Sequence, residues 1–278
     1  MKDAVIIVAT HKKYEMPKDP VYLPVLVGAK ISKPSDYQRD DEGDNISEKN
    51  PYFCELTGAY WAFKNVKSKY IGLVHYRRYF TTSSKRLKTK EERLASILSG
   101  KQLQKFMDKN YDLILPKKRN YVIETLYSHY DHTLHIRPLD MVRNIIEKDY
   151  PEYLKEFDRI QKRHSAHMFN MMIGKKRLID EYHKWLFDIL FKLEREVEKE
   201  DLNKRYTKFH QRFYGRISEL LFDVWLYTNF PETKKELENR YIKIKELRVI
   251  DIEDTNWLKK GLSFLLAKFT GKKYDKSF

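Results

Sequence analysis

The stretch Tyr70-Ile-Gly-Leu-Val-His-Tyr-Arg-Arg-Tyr-Phe80 runs from an apolar segment straight into His75, Arg77 and Arg78. Its first half suits a pleated, buried strand, and ligand sites in open α/β sheets lie just beyond strand carboxyl ends. Cations delivered to such a spot predict an anionic ligand. If the strand continues, alternation sends Arg77 and Arg78 to opposite faces, so that one of them meets the ligand with its bidentate fork. The plain alternative is a structural ion pair, since arginines are mostly surface residues.

Outward from that stretch, Asp3-Ala-Val-Ile-Ile-Val-Ala-Thr10 is a continuous apolar run, the pattern of a central parallel strand, and it ends on Thr10, His11 and Lys12. Val21 to Val27 is interrupted by Pro24 and reads as an edge strand or an irregular extended piece. Arg39 to Asn50 is polar and turn-prone, a loop over the sheet. A helical pattern from about Cys54 to Lys64, a basic helical segment near Glu91 to Lys109 and a strand in Tyr111-Asp-Leu-Ile-Leu-Pro116 complete the alternation. This predicts an α/β fold with a mostly parallel central sheet flanked by helices.

Beyond residue 120 the chain becomes helical. Pro138 and Pro151 mark helix starts, and Met168-Phe-Asn-Met-Met-Ile-Gly174 is the last strand candidate. Apolar residues recur at helical spacing from Leu178 to about Glu200 and from Phe213 to Leu226, as ordinary core stripes.

The 278 residues suffice for one large or two small domains, and the 41% hydrophobic content supplies a core without staples. Cys54 stands alone, so no intramolecular disulfide forms. The N-terminus has no leader pattern, which makes a reducing cytosol the simplest address. No apolar run reaches the roughly 18 residues a transmembrane helix needs. A formal net charge of +15 favours polyanionic partners: nucleic acid, anionic lipid or nucleotide-containing substrates.

The tail has its own character. In Trp257-Leu-Lys-Lys-Gly-Leu-Ser-Phe-Leu-Leu-Ala-Lys-Phe269 the residues Leu258, Leu262, Leu265, Leu266 and Phe269 share one helical face, with lysines off its centre. A basic amphipathic helix of this kind is expected to anchor residues 257–278 peripherally on anionic lipid. The alternative is a terminal helix docked on the domain. The organisation expected is a domain over 1–230 and a basic helical tail over 231–278.

Three blocks in this order, Asp41-Glu-Gly-Asp-Asn-Ile-Ser47, Cys54-Glu-Leu-Thr-Gly-Ala-Tyr-Trp-Ala-Phe-Lys-Asn65 and Ile71-Gly-Leu-Val-His-Tyr-Arg-Arg-Tyr-Phe80, resemble the bacterial capsular and exopolysaccharide synthesis glycosyltransferases long known only as a domain of unknown function. Asn170 leading into the helix of Tyr182, Trp185 and Phe187 extends the resemblance to about residue 228. It implies a GT-A-like transferase that moves a sugar, with galactosyl or galactofuranosyl the one expected, from a UDP-linked donor to a lipid-linked capsular or exopolysaccharide precursor. The address it implies is the cytoplasmic face of the cell membrane. GT-A enzymes usually carry an Asp-x-Asp metal motif where this chain has His75-Tyr-Arg-Arg78. A histidine and arginines there would neutralise the leaving diphosphate directly, so no metal is expected to be required. Mn or Mg remains open through the acidic loop of Asp40, Asp41 and Asp44.

Within that layout Thr10, His11 and Lys12 are expected to cradle the base or ribose, with a polar turn as the alternative. Asp44, Asn45, Ser47 and Thr57 are the other donor contacts expected, though such residues also build plain turns. Inversion needs a base near the acceptor hydroxyl. Glu219, oriented by Arg216, is the first choice, against its reading as a solvated helix residue. His135 with Asp140 and His167 with Asn170 are acceptor contacts or polar core residues. His129, His132 and His135 lack a well-spaced carboxylate or cysteine, which argues against a zinc site. The rivals are a nucleic-acid-binding protein, favoured by charge and 20 tyrosines but without a binding module, and an inactive scaffold of polysaccharide assembly.

Overall fold

The computed structural model describes residues 2–33, 35–231 and 241–253. In chain order, β1 (Lys2–Thr10), β2 (Tyr22–Leu26) and β3 (Gln38–Arg39) precede α1 (Asn50–Phe53) and α2 (Leu56–Asn65). Next come β4 (Ser68–His75), β5 (Arg78–Thr81), α3 (Lys90–Ala95), α4 (Gly100–Asp108), β6 (Leu113–Pro116) and β7 (Arg119–Asn120). Then follow α5 (Leu126–Thr133), α6 (Arg137–Asp149), α7 (Pro151–Gln161), β8 (Ser165–Ala166) and β9 (Met172–Lys175). The run ends with α8 (Lys176–Lys199), α9 (Leu202–Arg205), α10 (Phe213–Asn229) and β10 (Ile244–Asp251). The described residues divide into two compact units, 2–117 with 169–183 and 241–253, and 118–168 with 184–231.

The first unit holds an eight-stranded sheet in the order β3-β2-β1-β4-β5-β10-β6-β9, and an added β4–β9 pairing closes part of it into a ring. The sheet is mixed, which corrects the expectation of a mostly parallel one. β1 runs parallel to β2 and β4, and β10 parallel to β6. β5 and β9, however, run antiparallel to β4, and β5 also to β10. The cause lies at Tyr76-Arg77: His75 pairs with Arg78 across those two residues, a link far too short for a parallel crossover. Ring closure needs Gly72, where an added Cβ would stand 2.6 Å from the Ile173 side chain. Ile6, Val8, Val74, Tyr79, Phe80, Ile114 and Ile173 fill the core.

Pro24 sits inside β2, which lies between β1 and β3. Because β3 pairs only with Val25 and Leu26, the strand is an edge at Pro24, where a missing N–H is tolerated. The basic segment near 91–109 is two helices rather than one. Thr89 and Ser99 each open a helix with a capping box, closed by Glu92 and Gln102. The break between them is held by Leu98 N–H donating to Phe80 O at 2.8 Å.

The second unit is helical around α10, which packs on α7. From Phe213 to Tyr227 every residue of α10 except Arg216 is buried, so this is a central helix rather than an amphipathic surface one. α6 and α7 begin at the prolines anticipated, Pro138 and Pro151. Among the described residues no helix is long and apolar enough to cross a membrane. The proposed anchor at 257–278 lies outside the described residues. β10, past residue 230, completes the sheet of the first unit.

Candidate active site

In the first unit the carboxyl ends of β1 and β4 lie side by side, with Ala9 opposite His75. An open groove of about 490 Å³ beside β1 and β2 is lined by His11, Lys12, Lys13, Leu26, Ser32, Lys33, Ser35, Asp36 and Tyr37. Three lysines against one carboxylate make it a basic groove, suited to phosphate oxygens. Its wall continues into an aromatic group: the Tyr76 ring stands 5.3 Å from His11 and 5.0 Å from Tyr14, with Lys12 Nζ at 5.5 Å. Thr10 lies outside this chemistry. Its hydroxyl, 1% exposed, donates to Lys12 O at 2.6 Å and closes a polar turn.

Arg77 and Arg78 do not occupy opposite faces of one strand, as a continuing strand would have required. Arg77 stands in the turn and pairs with Glu253 at 3.2 Å, while Arg78 opens β5 and pairs with Asp251 at 2.8 Å. The ion-pair reading therefore describes both, with both guanidiniums partly exposed. Tyr14 donates to the other Glu253 oxygen at 2.5 Å. Burial, and then that carboxylate, push the Tyr14 hydroxyl up to about 12. Glu253 is held below the usual carboxylate range by the Tyr14 hydrogen bond and by Arg77.

Beside them is a strained turn. Phe169 and Asn170 have φ of 78° and 53°, and Cys54 has φ of 52°, a conformation that costs side-chain-bearing residues energy and clusters at functional sites. The strand expected over 168–174 is therefore shortened to β9. His75 Nε2–H donates to Phe169 O at 2.5 Å, the Arg78 guanidinium lies 4.8 Å from the Phe169 ring, and Asn170 Nδ2–H donates to Glu55 Oε1 at 2.7 Å. His75 and Asn170 thus meet through adjacent residues of one turn, and Glu55 joins them.

The acidic loop is bound into the fold by its own side chains. Asp40 is fully buried and accepts from Gly28 N–H, Ala29 N–H and the Ser47 hydroxyl at 2.9, 2.9 and 2.5 Å. Asp41 is committed to Arg39, whose hydrogen bonds hold its carboxyl below the usual range. Asp44 accepts from Tyr60 and pairs with Lys64, and Asn45 donates to Asp41 O and Gly43 O. Thr57, fully buried, donates to Cys54 O. These contacts fasten the loop onto α2; the donor roles drawn for Asp44, Asn45, Ser47 and Thr57 find no open side chain of Ser47 or Thr57.

The second unit carries a separate polar cluster. Glu124, 2% exposed, takes Nδ1 of His129 on Oε2 at 2.8 Å and Nδ1 of His132 on Oε1 at 2.6 Å. Glu124 is thus a hydrogen-bond partner shared by both rings. It precedes the α5 N-cap Thr125, so the helix start folds it back onto the first turns, a relation that spacing within a helix does not reveal. The Tyr121 ring lies 4.1 Å from His129. Burial lowers His129 against the raising influence of Glu124, and Arg119 and Arg216 act in the same sense as burial. Burial raises Tyr121, whose field includes Arg119, Glu219, Arg216 and Glu124. Glu219, 6% exposed and not solvated as a surface residue would be, pairs with Arg216 at 3.3 Å.

The remaining acceptor candidates have partners of their own. His167, buried, meets Asp223 through Nδ1 at 2.5 Å and backbone N–H at 3.2 Å. His135 stacks on Tyr206 with ring centroids 4.3 Å apart. Asp140, raised by burial, meets the Tyr127 hydroxyl at 3.5 Å. Among the described residues no three His, Cys, Asp or Glu side chains gather as a metal-ligand set.

The chain belongs to the family described as domain of unknown function DUF4422, whose model matches residues 5–230. No curated protein matches it. Among solved structures it is similar to the apo structure of the bifunctional glycosyltransferase WbbM, with a TM-score of 0.78 and 28% identity. The match covers 91% of this chain and 46% of that one, so the chain spans about half the length of that structure.

Proposed function

We propose that the chain is a nucleotide-sugar-dependent glycosyltransferase of GT-A type. The observation that carries this reading is the lysine-lined groove at the carboxyl ends of β1 and β2, in a chain whose fold is similar to a glycosyltransferase. The donor diphosphate lies against Lys12, Lys13 and Lys33, and His11 and Tyr37 offer rings and hydrogen bonds to base or ribose. His75, Arg77 and Arg78 support the leaving diphosphate electrostatically. No metal is needed for that role, and Mn or Mg would be an accessory.

On the acceptor side Glu219 is the general base, oriented by Arg216, and His135, Asp140, His167 and Asn170 are the acceptor contacts. The donor is UDP-linked, with galactosyl or galactofuranosyl as the sugar. The acceptor is a lipid-linked capsular or exopolysaccharide precursor, met at the inner face of the membrane through 257–278.

The test is thermal shift against UDP-, GDP-, dTDP- and CMP-sugars, each with and without manganese, since a ligand of the folded state raises apparent stability. A selective shift with one nucleotide supports the reading and names the donor class. No shift with any donor rejects it.

A further inference from the structure

Three of the large apolar side chains exposed among the described residues fall within one short segment: Val122 at 74%, Ile123 at 59% and Tyr127 at 41%. Apolar side chains scattered singly on a surface are ordinary, but two adjacent ones on one turn are not. Val122 has φ of 58°, a conformation in which a β-branched residue is an outlier and Gly or Asn would sit at lower energy. Neither water nor the backbone favours valine there, and strain of this kind marks functional segments.

The turn is presented on a pinned base in the second unit. β7 pairs antiparallel with β8, Arg119 with Ala166 and Asn120 with Ser165. Tyr121 N–H donates to His164 O and Leu126 N–H to Arg163 O, each at 2.8 Å, so residues 122–125 run between two fixed feet. Val122 N–H donates to Asn120 Oδ1 at 2.8 Å and Ile123 N–H to Tyr121 O at 2.7 Å, which sets the turn. Tyr121 and Glu124 are buried on either side of the two exposed residues.

Cations stand at the foot of the turn. Lys118 Nζ and the Arg163 guanidinium lie over the Tyr227 ring at 5.1 and 5.2 Å, and Arg119 lies over Tyr121 at 5.1 Å. Glu124 is turned inward onto His129 and His132. The Tyr127 hydroxyl faces Asp140 at 3.5 Å, which puts that ring on the acidic edge and leaves Val122 and Ile123 on the basic side.

We propose that Val122 and Ile123 form an apolar tip, collared by Lys118, Arg119 and Arg163, that docks on an anionic phospholipid surface, independently of donor chemistry in the first unit and of residues 257–278. Two side chains are too little for a protein interface, which buries on the order of 800 Å² per partner. Binding at a bilayer interface instead grows with each apolar group inserted and each cation near the headgroups. The formal net charge of +15 adds long-range attraction to such a surface.

The test is co-sedimentation of the full chain with phosphatidylcholine vesicles, with and without phosphatidylglycerol. Val122→Asn with Ile123→Ser removes the apolar tip and puts at 122 a residue that suits left-handed backbone. Its partition onto anionic vesicles is expected to fall at least about 10-fold. Lys118→Gln with Arg119→Gln should flatten the dependence on phosphatidylglycerol. A second readout reports from the tip itself: Ile123→Trp should lose more fluorescence to brominated acyl chains than wild type does from its own four tryptophans. Equal partition of the tip variant and wild type, or no added quenching at residue 123, overturns the proposal. So does absence of wild-type binding to any vesicle. A wild-type dimer that the tip variant converts to monomer without vesicles would put a second copy on the tip, and overturns it too.

Discussion

Asn170 donates its side-chain amide to Glu55 at 2.7 Å, joining residues 115 apart in sequence. Each lies in or next to left-handed backbone, Asn170 with φ of 53° and Glu55 directly after Cys54 with φ of 52°. Asparagine tolerates that conformation better than most residues, and its amide then reaches back to hold the carboxylate. The preceding carbonyl, of Phe169, takes His75. One short turn therefore ties the start of α2 to the end of β4.

Asn170→Gly relieves the backbone and loses the hydrogen bond, whereas Asn170→Ala loses the bond and keeps the left-handed penalty. Alanine should be the less stable by about 1 kcal/mol, the lower end of the per-residue left-handed cost. Urea denaturation of the two variants measures the difference, and equal midpoints would show that the turn is not strained.

Asp40→Ala strips three donors of the buried carboxylate that accepts from them: Gly28 N–H, Ala29 N–H and the Ser47 hydroxyl. Unsatisfied buried donors cost roughly 1–3 kcal/mol each, so a loss of at least about 3 kcal/mol is expected. A chemical denaturation loss below about 1 kcal/mol, the worth of a single ordinary hydrogen bond, would return Asp40 to the list of available ligands.

His183 is buried, donates from Nδ1 to Ile179 O at 2.9 Å, and is pushed by desolvation down to about 4. Its unfolded value is about 6.5, so the folded chain binds fewer protons between the two. The stability it contributes is full above pH 6.5 and is lost as pH falls toward 4, to a total of about 3 kcal/mol. His183→Phe, beside Phe63 and Tyr182, removes the titration. Its stability should vary less than wild type over that window, and parallel pH curves would contradict the assignment.

Lys12 and Lys33 line the groove from two different segments. If they meet a diphosphate, the double substitution Lys12→Ala with Lys33→Ala should weaken nucleotide binding by roughly 10- to 100-fold, about 1.4–2.8 kcal/mol. Isothermal titration with UDP at two salt concentrations checks this. The variant should also show the shallower salt dependence, and an unchanged Kd would remove the groove from the donor site.

Much of the scaffold was legible because it is local. Ile6, Ile7 and Val8 make a strand through their own pattern, Pro138 and Pro151 open helices through fixed φ, and the buried stripe of α8 follows from spacing. The candidate groove is legible in part: the place of His11 and Lys12 after β1 points to them, while Lys33 and Tyr37 join them only because β2 turns back toward β3. Glu124 escaped notice since it lies outside the helix that carries its histidines. The pairings of His167 with Asp223 and of Asn170 with Glu55 are not legible, because the partners lie 56 and 115 residues apart.

By itself the sequence determined where most strands and helices lie and where cations end a strand, and it singled out His75, Asn170, His167 and Glu219 as candidate site residues. Periodicity and backbone constraint act within a few residues, and they are written locally. Tertiary structure alone decided that the sheet closes into a mixed ring, that Arg77 and Arg78 are paired with Glu253 and Asp251, that the acidic loop folds inward on Asp40, and that Glu124 grips two histidines. Each of those depends on which distant groups are desolvated together, and burial, not sequence spacing, sets the cost of leaving a charge or an N–H without a partner.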